Sequence, residues 1–156
     1  MSDIKKKDKE ERQRLFFRNK KAKFEYFIID TWTAGIMLKG SEIKSLRYNG
    51  FNFTDPFCYI KDGEIWIKNL VISQYDYSTY QNHDPNRDKK LLLKKREILK
   101  IISAKTNGLT LIPIVLFEND KSLIKVEISL CKGKKLYDKR ETIKTRDLDR
   151  YEKNKD

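Results

Sequence analysis

Apolar residues along the chain recur mostly at two-residue spacing or in short runs, the pattern of strands with a buried face. Ile124, Val126, Ile128 and Leu130 alternate with Lys125, Glu127 and Ser129, which predicts a half-exposed strand. Residues 109–117 before it are almost unbroken apolar sequence and predict a strand buried on both faces, with Asn119-Asp120 turning the chain between the two. Aromatic and β-branched residues mark further strands at residues 24–29 and 35–38. Residues 59–61 and 65–68 flank Asp62-Gly63, a tight-hairpin signal, and residues 70–74 continue the β pattern. Two helices interrupt it. Ser41 is placed to cap a short one, with Glu42 in its first turn and Ile43 and Leu46 inside. Residues 94–106 predict the second, with a stripe of Ile98, Ile101 and Ile102, Leu91 one heptad earlier, and Asn107-Gly108 as its end.

Six or seven short strands with close turns predict a mainly β chain, a small antiparallel OB-type barrel with two or three flanking helices and disordered basic termini. Such a barrel often binds nucleic acid, although fold alone does not decide function.

Charge sharpens this picture. The 156 residues carry 35 Lys+Arg and 23 Asp+Glu, a formal +12. Residues 1–23 hold 10 basic and 4 acidic residues, and residues 132–156 hold 10 and 6. The basicity therefore belongs mainly to the ends. The expected division is a disordered basic arm at 1–18, an RNA-binding barrel at 19–132, and a basic tail at 133–156 that becomes helical when bound. A strongly basic chain suits a polyanion. No apolar run is long enough to span a membrane, and the N-terminus lacks a secretory pattern. Cys58 and Cys131 are isolated among apolar and aromatic neighbours and read as buried thiols of a cytoplasmic protein.

Catalytic chemistry is thin. The sole histidine, His83, lies in a polar turn-rich segment without a nucleophile elbow and reads as a surface or hydrogen-bonding residue. No zinc spacing or phosphate loop is present. Glu42-Ile43-Lys44 has the E-x-K spacing of some nucleases, but falls on a helix without a well-placed upstream Asp.

Binding signals are stronger. Residues 87–96 place six cations around Leu91, Leu92 and Leu93, so the leucines can anchor while Arg87, Lys89 and Lys90 meet phosphates. Tyr75, Tyr77 and Tyr80 can stack on bases or pack the barrel end. Lys132, Lys134, Lys135, Lys139 and Arg140 crowd nine positions after the last strand. Asp138 and Glu141 have capping-box spacing. On a helix, Lys139, Arg146, Arg150 and Lys153 share a face about 60° wide, with Lys144 adding to the tail's charge.

A resemblance joins these segments. Asn19-Lys20-Lys21-Ala22, Glu25-Tyr26-Phe27-Ile28, Ala34-Gly35-Ile36, Gly40-Ser41-Glu42-Ile43-Lys44-Ser45-Leu46-Arg47, Asp84-Pro85-Asn86-Arg87, Lys90-Leu91-Leu92-Leu93 and Gly133-Lys134-Lys135-Leu136-Tyr137-Asp138-Lys139-Arg140 follow in that order. In this ordered set the chain resembles the SsrA-binding protein family, also called small protein B. The resemblance implies an adaptor that binds transfer-messenger RNA and delivers it to stalled ribosomes for trans-translation. The body would imitate the tRNA anticodon arm, and the tail would enter the empty mRNA channel beyond the small-subunit decoding centre.

By motif position, Asn19, Lys20, Glu42, Lys44, Arg47 and Leu92 belong to the RNA-facing body or its frame. Gly133, Tyr137, Asp138, Lys139 and Arg140 belong to the tail junction. Lys21, Arg87, Lys89 and Lys90 complete the expected body set. Lys132, Lys134, Lys135, Lys144, Arg146, Arg150 and Lys153 complete the tail set. Thr33 stands where many members carry an acidic residue, and Phe24 where His is usual. The expectation is a monomer that needs no cofactor or metal and binds neither membrane nor DNA. The alternatives are a ribosomal or general single-stranded RNA-binding OB-fold protein and, further off, a nuclease using Glu42 and Lys44.

Overall fold

The computed structural model describes residues 14–75, 82–106 and 108–153. Residues 1–13 of the expected arm, Tyr77, Tyr80 and Asn107 lie outside them, as do the side chains of Asp138 and Lys153. In chain order the elements are β1 (Arg14–Arg18), α1 (Lys20–Glu25), β2 (Tyr26–Ile36), α2 (Gly40–Tyr48), β3 (Phe51–Lys61) and β4 (Glu64–Ile72). There follow β5 (Lys89–Leu92), α3 (Lys95–Ala104), β6 (Leu109–Glu118), β7 (Ile124–Gly133) and α4 (Leu136–Lys153). All pairings are antiparallel, and β6 closes the circuit β6-β3-β4-β5-β2-β7 by pairing with β7. This is the expected OB-type barrel, closed with six strands, and β1 adds to β6 outside the circuit.

The apolar run in β6 has two destinations. Leu111 and Leu116 enter the barrel core with Ile65, Ile67, Val126 and Ile128. Ile112 and Ile114 face a second, smaller cluster with Ala22 and Cys131. Pro113 stands between them and lacks an N–H for the ladder. The register with β7 slips between Pro113 and Val115, which is where a strand tolerates proline. Past this bulge the edge of β6 passes from β3, paired at Cys58↔Leu111, to β1, paired from Val115 to Glu118.

Asn19 plugs the bulge. Its backbone N–H donates to the Ile114 carbonyl at 2.7 Å and its Nδ2 to the Pro113 carbonyl at 3.1 Å. Its Oδ1 accepts the Ala22 N–H at 3.2 Å and so caps α1.

Several boundaries differ from expectation. Phe24 and Glu25 close α1 instead of opening a strand, because the Asn19 cap and the burial of Ala22 favour a helical turn. The two expected strands at 24–29 and 35–38 are one strand, β2, bent by a register shift between Ile28 and Asp30. The hairpin at Asp62-Gly63 forms as expected, with φ of 52° and 73°, the twist that matches flanking strands. Ser41 does not cap α2; Lys39 precedes the helix and its N–H donates to Glu42 Oε1 at 2.8 Å. In α3, Ile98 and Ile101 are buried, whereas Ile102 is exposed and Leu91 lies on β5.

The described residues nearest both ends form regular elements. Arg14–Arg18 is a strand within the arm expected to be disordered, because Phe17 stacks on Phe53 at 4.9 Å and meets Phe51 edge-on at 6.4 Å. Three apolar residues, Leu15 to Phe17, are diluted in an average over the arm but sit together on one strand. The tail is helical from Leu136 to Lys153, starting ahead of the expected cap at Asp138. Cys58 and Cys131 are free and buried, and burial raises the Cys131 thiol to about 11.

Replacing Asn19 by alanine would take the side-chain donor from the Pro113 carbonyl and uncap α1, while the backbone bond to the Ile114 carbonyl remains. We expect Asn19→Ala to lower stability by about 1–3 kcal/mol, read as a reduced denaturation midpoint at unchanged m-value. An unchanged midpoint would show that the bulge does not need its plug.

Candidate nucleic-acid interface

The body cations divide into those with internal partners and those without. Glu42 is the hub of the first group and is fully buried. Its Oε1 pairs with Arg87 Nη2, and Lys89 Nζ stands 3.8 Å from its Oε2. Lys89 is itself fully buried and donates to the Leu70 carbonyl at 2.5 Å. Burial pushes the Lys89 ammonium below its ordinary value, while the Glu42 carboxylate pulls the other way. Arg87 also donates to the Met37 carbonyl at 3.3 Å. This network ties the start of α2 to β4, β5 and the end of β2.

His83 completes the frame. It is 1% exposed, with Nε2 2.8 Å from the Ile72 carbonyl and Nδ1 2.9 Å from Ser41 Oγ. A carbonyl only accepts, so Nε2 carries the proton and Nδ1 accepts from the hydroxyl. The hydrogen-bonding expectation for His83 holds and the surface one does not, because two buried acceptor and donor groups need it.

Several residues expected in the RNA-facing body or its frame are frame. Lys89 cannot reach a phosphate, and Asn19 and Glu42 are buried. Arg47 donates to Glu118 Oε1 at 2.9 Å and to the Ser122 carbonyl at 3.1 Å, fastening α2 to the β6–β7 turn. Lys90 lies 3.6 Å from Glu64, and Lys21 lies 3.2 Å from Asp55. The Lys21 ammonium is raised, chiefly by its hydrogen bond to Asp55. Of the expected body cations, Lys20 and Lys44 are exposed without an ion pair among the described residues; Lys44 Nζ stands 5.8 Å over the Tyr75 ring. The E-x-K nuclease reading fails on the same ground, since Glu42 is committed to two cations and shielded from solvent.

Leu92 is half exposed. Gly35 makes room for it, since a Cβ on Gly35 would stand 3.2 Å from Leu92 Cβ. With the exposed Leu99 and Ile102 it lines a groove of about 790 Å³, edged by Lys90, Lys94, Lys95 and Lys125. An apolar floor with cationic edges suits bases and phosphates together.

The tail leaves β7 at Gly133, which pairs with Tyr26. Lys134 anchors its root: its N–H donates to the Glu25 carbonyl at 2.8 Å, and its Nζ donates to the Lys23 carbonyl at 3.1 Å and lies 5.0 Å over Phe27. Lys132, Lys135, Tyr137, Arg140, Lys144, Arg146 and Arg150 are exposed, and Lys139 is half-buried. Arg146 stands 5.8 Å over the Phe24 ring. Arg18 and Lys23, absent from the expected site, lie beside Lys20, Arg146 and Arg150. The i, i+3 relation of Lys23 to Lys20 on α1 becomes visible only once residues 20–25 are known to be helical.

Barrel, grooved basic surface and basic helical tail define an OB-type nucleic-acid-binding module. Among the described residues no group of three or more His, Cys, Asp or Glu is placed to hold a metal ion, and no helix is long and apolar enough to cross a membrane. The family model described as SmpB protein matches residues 16–155, and the chain belongs to that family. It is an RNA-binding adaptor, not an enzyme.

An SsrA-binding protein of Parabacteroides distasonis is 49% identical over 131 residues, 83% of this chain and 86% of that one. One of Thermosipho melanesiensis is 49% identical over 138 residues, 88% and 94% of the two chains. A solved chain reported under "tmRNA-SmpB: a journey to the center of the bacterial ribosome" is 39% identical with a TM-score of 0.63, covering 81% of this chain and 93% of that one.

Removing the Glu42 charge would leave Lys89 buried without its anion and Arg87 without its carboxylate partner. We expect Glu42→Gln to cost about 3–5 kcal/mol, while Lys44→Gln on the exposed face of the same helix stays within about 0.5 kcal/mol. Urea denaturation compares them, and equal costs would remove Glu42 from the frame.

Proposed function

We propose that this chain binds transfer-messenger RNA and delivers it to stalled ribosomes for trans-translation, with the barrel imitating the tRNA anticodon arm and the tail occupying the empty mRNA channel. The observation that carries the reading is the reach of the family match, which runs from β1 through the barrel into α4. The barrel offers the Leu92 groove and the exposed Lys20 and Lys44 as its RNA-facing parts. Gly133, Tyr137, Asp138, Lys139 and Arg140 stand at the tail junction, and Lys132, Lys134, Lys135, Lys144, Arg146, Arg150 and Lys153 supply the tail's charge. The working division is a body from Asn19 to Lys132 and a tail beyond it, acting as a monomer in the cytoplasm.

Sequencing the RNA that copurifies with the chain tests the partner. One dominant structured RNA is expected; a spread of ribosomal and messenger fragments would instead indicate a general single-strand binder.

The division is tested separately. Deleting residues 136–156 spares β7 and should leave binding to isolated transfer-messenger RNA largely intact while abolishing tagging on stalled ribosomes. Thr145 lies within α4, where its Oγ1 donates to the Glu141 carbonyl at 3.0 Å. Thr145→Ala removes that bond alone, whereas Thr145→Pro breaks the helix at about 3 kcal/mol or more and leaves every charge in place. Tagging should fall much further in the proline variant. Equal tagging by the two would mean that the tail works as an unstructured polycation.

A further inference from the structure

A cavity of about 650 Å³ lies between α1, the β3–β4 hairpin and the start of β6, apart from the Leu92 groove. Its apolar lining is mostly aromatic: Phe17, Tyr26, Phe53 and Phe57, with Ala22 and Ile112. Phe17 and Phe53 stack at 4.9 Å with ring planes 5° apart. Phe17, Tyr26 and Phe57 are only half-buried, so aromatic surface is left accessible inside the cavity. Pockets for small organic ligands share this character, an apolar and aromatic floor with a few polar groups at the rim, and this range of volume, about 300–1,000 Å³.

The lip of the cavity interrupts the β3–β4 ladder. Phe53 pairs with Leu70 and Phe57 with Lys68, so Thr54, Asp55 and Pro56 all stand opposite Asn69. Asp55 and Asn69 take left-handed backbone, with φ of 47° and 66°. Residues with a side chain adopt it rarely, and Asn and Asp tolerate it best. The Asn69 amide donates to the Asp55 carbonyl at 3.1 Å and holds the bulge in shape. Straight pairing would need neither unusual residue, and bulges and strained residues of this kind gather beside functional sites.

Charge at the rim is unevenly matched. Lys21 reaches from α1 to the lip, 3.2 Å from Asp55 and 3.7 Å from Glu25. Both rim carboxylates therefore already have a cation. Arg18 and Lys20 line the same cavity, are exposed, and form no ion pair among the described residues. The charge left to be complemented is positive.

We propose that this cavity binds a small planar aromatic carboxylate, with its ring among Phe17, Tyr26, Phe53 and Phe57 and its carboxylate at Arg18 and Lys20. The ring gains apolar burial and aromatic contacts, and the carboxylate gains charge-assisted hydrogen bonds from cations that lack them. A cation on the same ring would instead meet Arg18 and Lys20 and compete with Lys21 for Asp55 and Glu25. An occupant touches α1 on one wall and the bulge on the other, and so ties them together. The site does not depend on which RNA the chain delivers.

The test titrates the full chain with indolepropionate and with tryptamine, which share a ring and carry opposite charges, and follows backbone amide NMR shifts. Indolepropionate should shift the amides of Ala22, Phe57, Asn69 and Ile112 saturably and bind about tenfold more tightly than tryptamine, the effect of one charge-assisted contact. Arg18→Gln with Lys20→Gln, both on exposed positions, should abolish that preference. Thr110 lines the cavity and shares a strand face with Ile112 two residues on. Thr110→Phe should fill the space and abolish the shifts with both ligands. If that variant does not fold, the exposed charge variant still decides. Scattered or unsaturable shifts, tryptamine binding as tightly as indolepropionate, or a charge variant that keeps the preference would each overturn the proposal, as would full binding by a folded Thr110→Phe. Uridine monophosphate, whose polar ring gains little from an aromatic floor, should bind more weakly than indolepropionate. Tighter binding would make the cavity a nucleotide site and overturn the assignment.

Discussion

The fold turns on how β6 can have neighbours on both edges although a proline interrupts it. Pro113 withholds an N–H, the register slips, and carbonyls of Pro113 and Ile114 are left for another donor. Asn19 takes both and caps α1 with the same side chain. The bulge thus sets where β1 ends, where α1 begins and where β2 enters the barrel. Because β7 pairs with β6 along its length, the departure point of the tail is referred to the same strand. α1 and the root of α4 are neighbours as a result, joined by Lys134 to the carbonyls of Lys23 and Glu25.

Electrostatics follows from this layout. A protein with an excess of 12 positive charges must place them where repulsion is tolerable. In the barrel most of the expected contact cations are matched by a carboxylate, and the most buried of them, Lys89, is held by Glu42 and the Leu70 carbonyl. Such a cation fixes geometry and releases few counterions to a ligand. At the α1–α4 junction Arg18, Lys20, Lys23, Arg146 and Arg150 stand beside Asp149 but form no ion pair among the described residues. Formal charge is therefore a poor guide to affinity until the pairs are subtracted.

The architecture explains how a small chain of the SmpB family presents two surfaces. A closed barrel has no free edges within its circuit, so its rim and groove keep their shape while the tail remains adjustable. Leu136, Ile143 and Leu148 of α4 are exposed, so its described side chains give it little apolar seat, and Arg140, Lys144, Arg146 and Arg150 lie on the outside, ready for a polyanion. Rigid platform and weakly seated lever are the physical requirements of an adaptor that must engage two partners.

How much of this was legible in the sequence depends on the range of the interactions. The alternation of Ile124, Val126, Ile128 and Leu130, the unbroken run of β6 and the Asp62-Gly63 turn are local, and they determined the β class and the main hairpin. The ordered motifs determined the family. Local signals failed where a distant residue decided the outcome. Phe24 reads as strand, but Asn19 and the cluster of Ile112 and Ile114 make it helix. Ser41 reads as a cap, but His83 claims its hydroxyl. Lys89 reads as a surface cation, but tertiary packing buries it against Glu42. A sequence determines which residues carry charge; only the folded chain decides which charges neutralise one another, because that depends on distances of a few ångströms between residues tens of positions apart.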